Sequence, residues 1–507
     1  MCGILVFRGF DIRNQMSNIE SILSLRGPDN YKIHIYTKVH PEITFIASQL
    51  SLVGTNCFPL VSNRGDILVA NGEIYNHLDL FSKAQDIKFS LESNDFDYIL
   101  EVYSQEKSKV DKREKLFSNI LNRLKADYAL ILFDKTSSEL YIARDSFGIR
   151  PLWFYWKSTN CWGFASEKKI LVELGIQNEW ISQVTPGTWC KIELTKENNF
   201  LTFNNNSTIM ESSFSPTRSS LDEVNLQICI DSLKNHLTNS IKRLLNNLRK
   251  DDSRLGIFFS GGVDSTVLHK LATKQSSYLT PLIIGFEGSK DILVAEKYFH
   301  ENENNSYIRV NITEDIVEYN LKKVLSRLDS RSPVDVGIAL PIYFLSKKAS
   351  ENKINVCFTG QGADELFIGY KRYEDLFLKQ KSSTTLNLNQ ILWDELRFIA
   401  KRNIERDDLM ASSHGIELRF PYLDFKLVEF VSQLPLEFLI KERNNKENQQ
   451  EFSRKIILRE LSTKIGIPDY ISMRNKTAIQ YGSGTQKILQ KLADRERLSM
   501  NEYLKTI

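Results

Sequence analysis

Apolar residues follow two different rhythms along the chain. As far as about residue 195 they come in short runs broken by turn residues: GILVF at 3–7, DILVANGE at 66–73, YALILFD at 128–134, ELYIARD at 139–145 and WGFAS at 162–166. Runs of this length, rich in β-branched and aromatic residues, predict layered β structure with few helices. Residues 198–220 are dominated by Asn, Ser and Thr, the composition of a solvated connection. The expected division is a domain over 2–195, a linker over 196–221 and a second domain over 222–507.

Past the linker the period lengthens. Helical spacing over 222–249 leads into GIFFS at 256–260, then Ser260-Gly261-Gly262-Val263-Asp264-Ser265, then a helix expected to begin at Thr266. PLIIGF at 281–286 and INVCFTG at 354–360 read as further strands, separated by helical stretches such as PIYFLSKKAS at 341–350. Strands alternating with helices predict an α/β domain with a doubly wound parallel sheet covered on both faces. The polar run KERNNKENQQE at 441–451 reads as a surface loop.

Composition narrows the function classes. A chain of 507 residues exceeds what one hydrophobic core usually supports. Its 42% hydrophobic and 25% charged residues are ordinary for a globular protein, and a net charge of +3 against 66 basic residues gives no electrostatic footprint for nucleic acid or a membrane surface. No apolar stretch approaches the roughly 20 residues of a membrane helix. The six cysteines form no CxxC pair and no metal-ligand spacing, which fits reduced thiols in the cytoplasm.

A strand that ends in Ser-Gly-Gly-Val-Asp-Ser and runs into a helix aims backbone N–H groups at one point beside the positive end of the helix dipole, a phosphate nest. The two glycines permit close approach, and Asp264 can hold a magnesium ion against the anion. The hexapeptide resembles the pyrophosphate loop of ATP pyrophosphatases and differs from the Walker loop, which implies adenylation with release of pyrophosphate. Thr359-Gly360-Gln361-Gly362-Ala363-Asp364-Glu365, followed by Leu366-Phe367-Ile368-Gly369-Tyr370, resembles the GEGSDE-FGGY motif of asparagine synthetases. Arg406-Asp407-Asp408, His414 to Pro421 and Asn475-Lys476-Thr477 extend that likeness over most of the second half. The resemblance implies an ATP and pyrophosphate site at Phe259, Ser260, Gly261, Gly262, Asp264, Ser265, Ile284, Thr359 and Gly360. It further implies Mg2+ on Asp264 and Asp364, with Lys476 stabilising departing phosphate charge.

Removal of Met1 ahead of a small residue would leave Cys2 with a free α-amine, a nucleophile and its own base in one residue. Arg26-Gly27-Pro28-Asp29, Asn71-Gly72-Glu73-Ile74-Tyr75-Asn76-His77, Asp95 and Arg144 to Leu152 resemble, in order, the class II glutamine amidotransferase domain. That family implies an N-terminal-nucleophile α-β-β-α sandwich, an oxyanion hole at Asn71 and Gly72, and a glutamine α-amine held by Glu73 and Asp95. The whole chain therefore resembles glutamine-hydrolysing asparagine synthetases, and at Gln361 and Ala363 it is closer to the divergent asparagine synthetase domain-containing proteins. The implied substrates are glutamine, ATP and aspartate, with ammonia from Cys2 attacking an adenylated carboxylate.

Two positions depart from the family. Gln361 stands where a glutamate is proposed to act as base. Gln49 stands where an arginine binds the glutamine α-carboxylate, so a charge-assisted contact is replaced by a neutral one. Two alternatives therefore stay open: the same chemistry on a different carboxylate, or a nucleotide-binding paralogue with impaired catalysis.

Overall fold

The computed structural model describes residues 2–84, 90, 92–196, 203–205, 225–248, 254–302, 306–382, 388–444 and 450–507. It divides into two compact units, Met1–Ser213 with Asn246–Lys250, and Phe214–Leu245 with Asp251–Ile507.

The first unit is built from β1 (Cys2–Arg8), β2 (Asn30–Tyr36), β3 (Ile43–Gln49), β4 (Leu60–Val61), β5 (Ile67–Ile74), β6 (Ala126–Asp134), β7 (Glu139–Arg144), β8 (Trp153–Ser158), β9 (Cys161–Ala165), β10 (Ser182–Gln183), β11 (Thr188–Glu193) and β12 (Asn204–Asn205). These form two six-stranded sheets, ordered β10-β8-β9-β1-β3-β2 and β12-β11-β7-β6-β5-β4. Strand side chains alternate between faces, and on β1 both faces are buried. Ile4 and Val6 join the core formed with the second sheet, whereas Leu5 and Phe7 pack with Ile19 and Leu23 of helix Met16–Arg26 and with Ile170 and Leu171 of helix Lys168–Glu173. The second sheet is backed by helices Asp97–Glu106 and Arg113–Arg123 through Ile99, Tyr103, Phe117 and Ile120. The result is an α-β-β-α sandwich. The edge pairing of β12 with Thr188 and Trp189 carries this unit past residue 195, and most of the expected linker lies outside the described residues.

The segment Arg144 to Leu152 is scaffolding. Asp145 accepts from the backbone N–H groups of Tyr128, Phe147, Ile149 and Arg150, while Arg144 donates to the carbonyls of Gly148, Arg150 and Val184. Buried charges satisfied this fully fix a loop without doing chemistry.

The second unit centres on a parallel sheet of β13 (Arg254–Phe258), β14 (Leu279–Gly285), β15 (Ile308–Asn311), β16 (Ile354–Phe358) and β17 (Glu417–Arg419), in the order β15-β14-β13-β16-β17. Strand order reverses between β13 and β16. In doubly wound sheets the ligand crevice opens beyond the carboxyl ends of the strands at such a switch point. The two loops singled out in the sequence, 260–265 and 359–365, follow these two strands.

Two expectations need correction, and two strands go beyond them. The helix after β13 begins at Val263 rather than Thr266, because Gly262 is extended and its carbonyl already accepts from Thr266 N at 3.0 Å. The strands β15 and β17 were not anticipated: both are short, and β17 buries an ion pair, Arg419 Nε to Glu417 Oε1 at 2.9 Å, where period-two hydrophobicity would be sought. The run at 441–451 is more than a loop, since β18 (Ile440–Asn444) and β19 (Gln450–Arg454), which overlap its two ends, pair antiparallel.

Candidate active sites

In the second unit, the loop after β13 turns sharply at Gly261, whose φ of +66° lies in the left-handed region and whose missing Cβ leaves room for Val294. Ser260 Oγ lies 3.2 Å from Ser265 Oγ and accepts from Gly262 N at 3.4 Å, so the loop closes on itself at the start of helix Val263–Ala272. That helix start leaves backbone N–H groups without helical partners, facing the crevice. Gly360 brings the loop after β16 alongside, with its Cβ position 3.4 Å from Asp264 Cβ.

The two predicted aspartates converge. Lys455 Nζ lies 2.6 and 2.7 Å from the Asp264 carboxylate oxygens and 2.6 Å from Asp364 Oδ1, and Lys476 Nζ reaches Asp364 Oδ2 at 2.6 Å. Gly369 makes this possible, because a Cβ there would overlap Asp364 Oδ1 and Lys455 Cε. Burial pushes the Asp364 carboxyl upward, but the Lys455 and Lys476 charges override it and hold it well below the usual carboxylate range. Burial lowers Lys476 in turn, and Asp364 and Asp264 more than reverse that, so it stays charged. The backbone around the pair is held in unusual conformations: Lys455 has φ +58°, and so does Ile368, a β-branched residue where the related motif has glycine.

A cleft of about 180 Å3 adjoins this cluster. Of the residues expected at the nucleotide site, Phe259, Ser260, Asp264, Ser265, Ile284, Thr359, Gly360, Asp364 and Lys476 line it, and Gly262 lines the adjoining pocket over Lys455 and Lys476. Gly261 instead faces Val294 and serves the turn. Gln361 also lines the cleft, where an amide stands in the position of the family's glutamate.

Sequence reasoning assigned no role to four residues here, Lys455, Arg474, Asp291 and Glu365. Lys455 follows a polar run and carries no motif. Arg474 donates to Ser260 O at 3.1 Å and to Asp291 Oδ1 at 2.7 Å, tying the phosphate loop to the segment that carries Lys476. Burial raises the Asp291 carboxyl despite this arginine. Glu365 accepts from Tyr370 OH at 2.7 Å and Asn403 Nδ2 at 2.8 Å; burial, and then the neighbouring Asp364 charge, raise its pKa. Only the fold brings these positions together.

In the first unit Cys2 is buried at the start of β1 and its backbone nitrogen donates to Asn71 Oδ1 at 2.9 Å. Asn71 Nδ2 is buried without an acceptor, a donor aimed at no protein group. A Cβ on Gly72 would overlap Asp127 O, so this backbone approaches β6 more closely than any other residue type allows. A small pocket is lined by Cys2, Gln49, Gly72, Glu73 and Asp95, all of them expected site residues. Asp95 also accepts from Ile74 N at 2.5 Å, which fixes its carboxylate beside β5. Gln49 is committed to the protein: its Oε1 accepts from Phe58 N at 3.1 Å and its Nε2 donates to Asn56 O at 3.4 Å.

Comparison with known proteins agrees with this geometry. The family model described as asparagine synthase matches residues 233–386 and 375–505, and the glutamine amidotransferase domain matches residues 1–213. A Methanocaldococcus jannaschii protein that carries the name asparagine synthetase [glutamine-hydrolyzing] 1 is 30% identical over 91% of this chain and 87% of its own. An Acanthamoeba polyphaga mimivirus protein named for the same activity is 25% identical over 99% of this chain and 91% of its own. The asparagine synthetase of Rattus norvegicus is 26% identical over 87% and 78%. Among the described residues no helix is long and apolar enough to cross a membrane.

Proposed function

The chain belongs to the glutamine-hydrolysing asparagine synthetase family, and from that premise we propose that it couples glutamine hydrolysis at Cys2 to ATP-driven amidation of a carboxylate, aspartate in the first instance. The observation that carries this is the convergence of Asp264, Asp364, Lys455 and Lys476 on one point beside the loop at 260–265.

At the first site, with Met1 removed, the Cys2 nitrogen becomes an α-amine held by Asn71 Oδ1 and able to take the thiol proton. The thiolate attacks the γ-carboxamide, and the unspent Asn71 Nδ2 stabilises the oxyanion. Glu73 and Asp95 hold the substrate α-amine. The ammonia released is the nucleophile at the second site.

There the loop amides and Ser260 and Ser265 receive the phosphates, with the base in the cleft flanked by Phe259 and Ile284. The substrate carboxylate attacks the α-phosphorus, and Lys455 and Lys476 balance the charge on departing pyrophosphate. A magnesium ion suits this cluster: the two carboxylates already surround one cation, the Lys455 ammonium, and offer the hard oxygens that magnesium prefers together with phosphate oxygens. When bound, it would neutralise phosphate charge from Asp264 and Asp364. The cytoplasm, which supplies ATP and glutamine, is the proposed compartment.

Gln361 favours one second reading, an acceptor other than aspartate whose amidation needs no base at that position. Pyrophosphate release in the presence of ATP, magnesium and ammonium chloride separates the two. Release that requires aspartate supports the first; no release with aspartate, but release with another carboxylate, sinks it.

A further inference from the structure

The pocket around Cys2 is electrically one-sided. Its described lining holds two carboxylates, Glu73 and Asp95, and neither lysine nor arginine. Arg26, which donates to Cys2 O at 3.3 Å, is balanced by the buried Glu167 at 3.0 Å. A free amino acid carries both an ammonium and a carboxylate. These walls suit the first and repel the second.

Several neutral donors near the pocket are already engaged within the protein. Both ends of the Gln49 amide are used within the protein, on Phe58 N and Asn56 O. Asn94 donates its side-chain amide to Asn56 O, accepts from Phe96 N, and gives its backbone N–H to Asp97. In the loop that closes the pocket, the N–H groups of Ser51, Leu52, Thr55, Asn56 and Phe58 go to Asp29, Leu50, Glu92, Glu92 and Gln49. A substrate carboxylate entering here would lose water and meet no cationic side chain in the described lining, whereas an uncharged carboxamide loses far less.

Resting on the glutaminase reading above, we infer that this site selects a glutaminyl group whose α-amine is free and whose α-carboxyl is neutralised as an amide, over free glutamine. The chemistry is the same hydrolysis: the Cys2 thiolate displaces ammonia from the γ-carboxamide, and water cleaves the resulting thioester. The α-amide remains untouched, so glutamine α-amide yields isoglutamine and ammonia.

The test measures ammonia released by the full-length protein from L-glutamine and from L-glutamine α-amide. The expected result is a kcat/KM for the α-amide at least tenfold above that for glutamine, the range in which one charge-assisted hydrogen bond acts. Gln49→Arg supplies the missing cation and should reverse the preference. Gln49→Met removes the amide without adding charge and should leave the preference as it is, which separates the electrostatic effect from damage to the loop. Wild-type protein that favours glutamine overturns the inference and leaves the proposed function standing. Hydrolysis of neither compound, alongside pyrophosphate release driven by ammonium chloride, overturns the glutaminase reading and this inference with it.

Discussion

Replacing Lys455 by methionine keeps the side chain's length and removes its charge. In the native protein that charge is 3% exposed and bridges two carboxylates at 2.6–2.7 Å. Removing one partner of a buried ion pair costs about 3–5 kcal/mol, because the remaining charge stays desolvated. Here Asp364 retains Lys476 at 2.6 Å, and the Asp264 side chain is 14% exposed, so water recovers part of the loss. The cost therefore sits at the low end, about 3 kcal/mol. For a domain of this size 1 kcal/mol shifts the melting temperature by roughly 2–4 °C, so Lys455→Met should melt about 6–12 °C lower. Differential scanning calorimetry, which resolves the transitions of separate units, is the assay. Adding Asp264→Asn to Lys455→Met removes one of the stranded carboxylates and should restore part of the loss. A variant that melts within 2 °C of wild type, or a double variant lower than the single one, refutes the assignment of Lys455 as the common counter-ion.

Three more outcomes follow from the same structure. His269 is buried among Phe259, Tyr298 and Phe299, and burial, with a smaller effect from the Lys270 charge, lowers its pKa from 6.5 to about 4. The unfolded chain then takes up the proton first, so stability is intact above pH 6.5 and falls progressively towards pH 4, by about 2 kcal/mol at pH 5; urea denaturation at pH 7 and 5 should show this loss in wild type and its absence in His269→Phe. Asn71→Ala removes the buried donor, and ammonia release at Cys2 should fall roughly 10²–10³-fold while synthesis from ammonium chloride is unchanged; a parallel fall in both rates would mark misfolding instead. Gln361→Glu should raise ammonia-dependent amide formation by about 10²-fold or more if 361 is an eroded base position, and no gain in steady-state rate would mark a repurposed pocket.

The readability of this chain depended on how local each signal was. The loop at 260–265 is contiguous, its strand and helix flank it, and its glycines have a conformational reason, so its placement could be read directly. Asn71, Gly72 and Glu73 were legible on the same ground, as one block on β5. Lys455 was not, because its meaning is entirely tertiary: it stands at the end of a hairpin whose strands are built from polar residues, and such strands carry no hydrophobic alternation. β17 was hidden for a related reason, since a buried Glu417–Arg419 pair satisfies itself where a core strand would be expected to be apolar. Gln49 was identified as a departure from its relatives, but the contacts that occupy its amide belong to a loop whose path only the fold reveals.

The bridge between Lys455 and Asp264 spans 191 residues of sequence, and that between Arg474 and Ser260 spans 214. Both cations of the cluster, Lys455 and Lys476, are therefore made after the phosphate loop and both of the cluster's aspartates. Contacts of such separation close last, after the loop-closure entropy between them has been met. During translation Asp264 and Asp364 must wait without their counter-ions until the segment that carries Lys455 and Lys476 leaves the ribosome. A product truncated before 455 retains the most recognisable sequence of the domain and none of its charge balance.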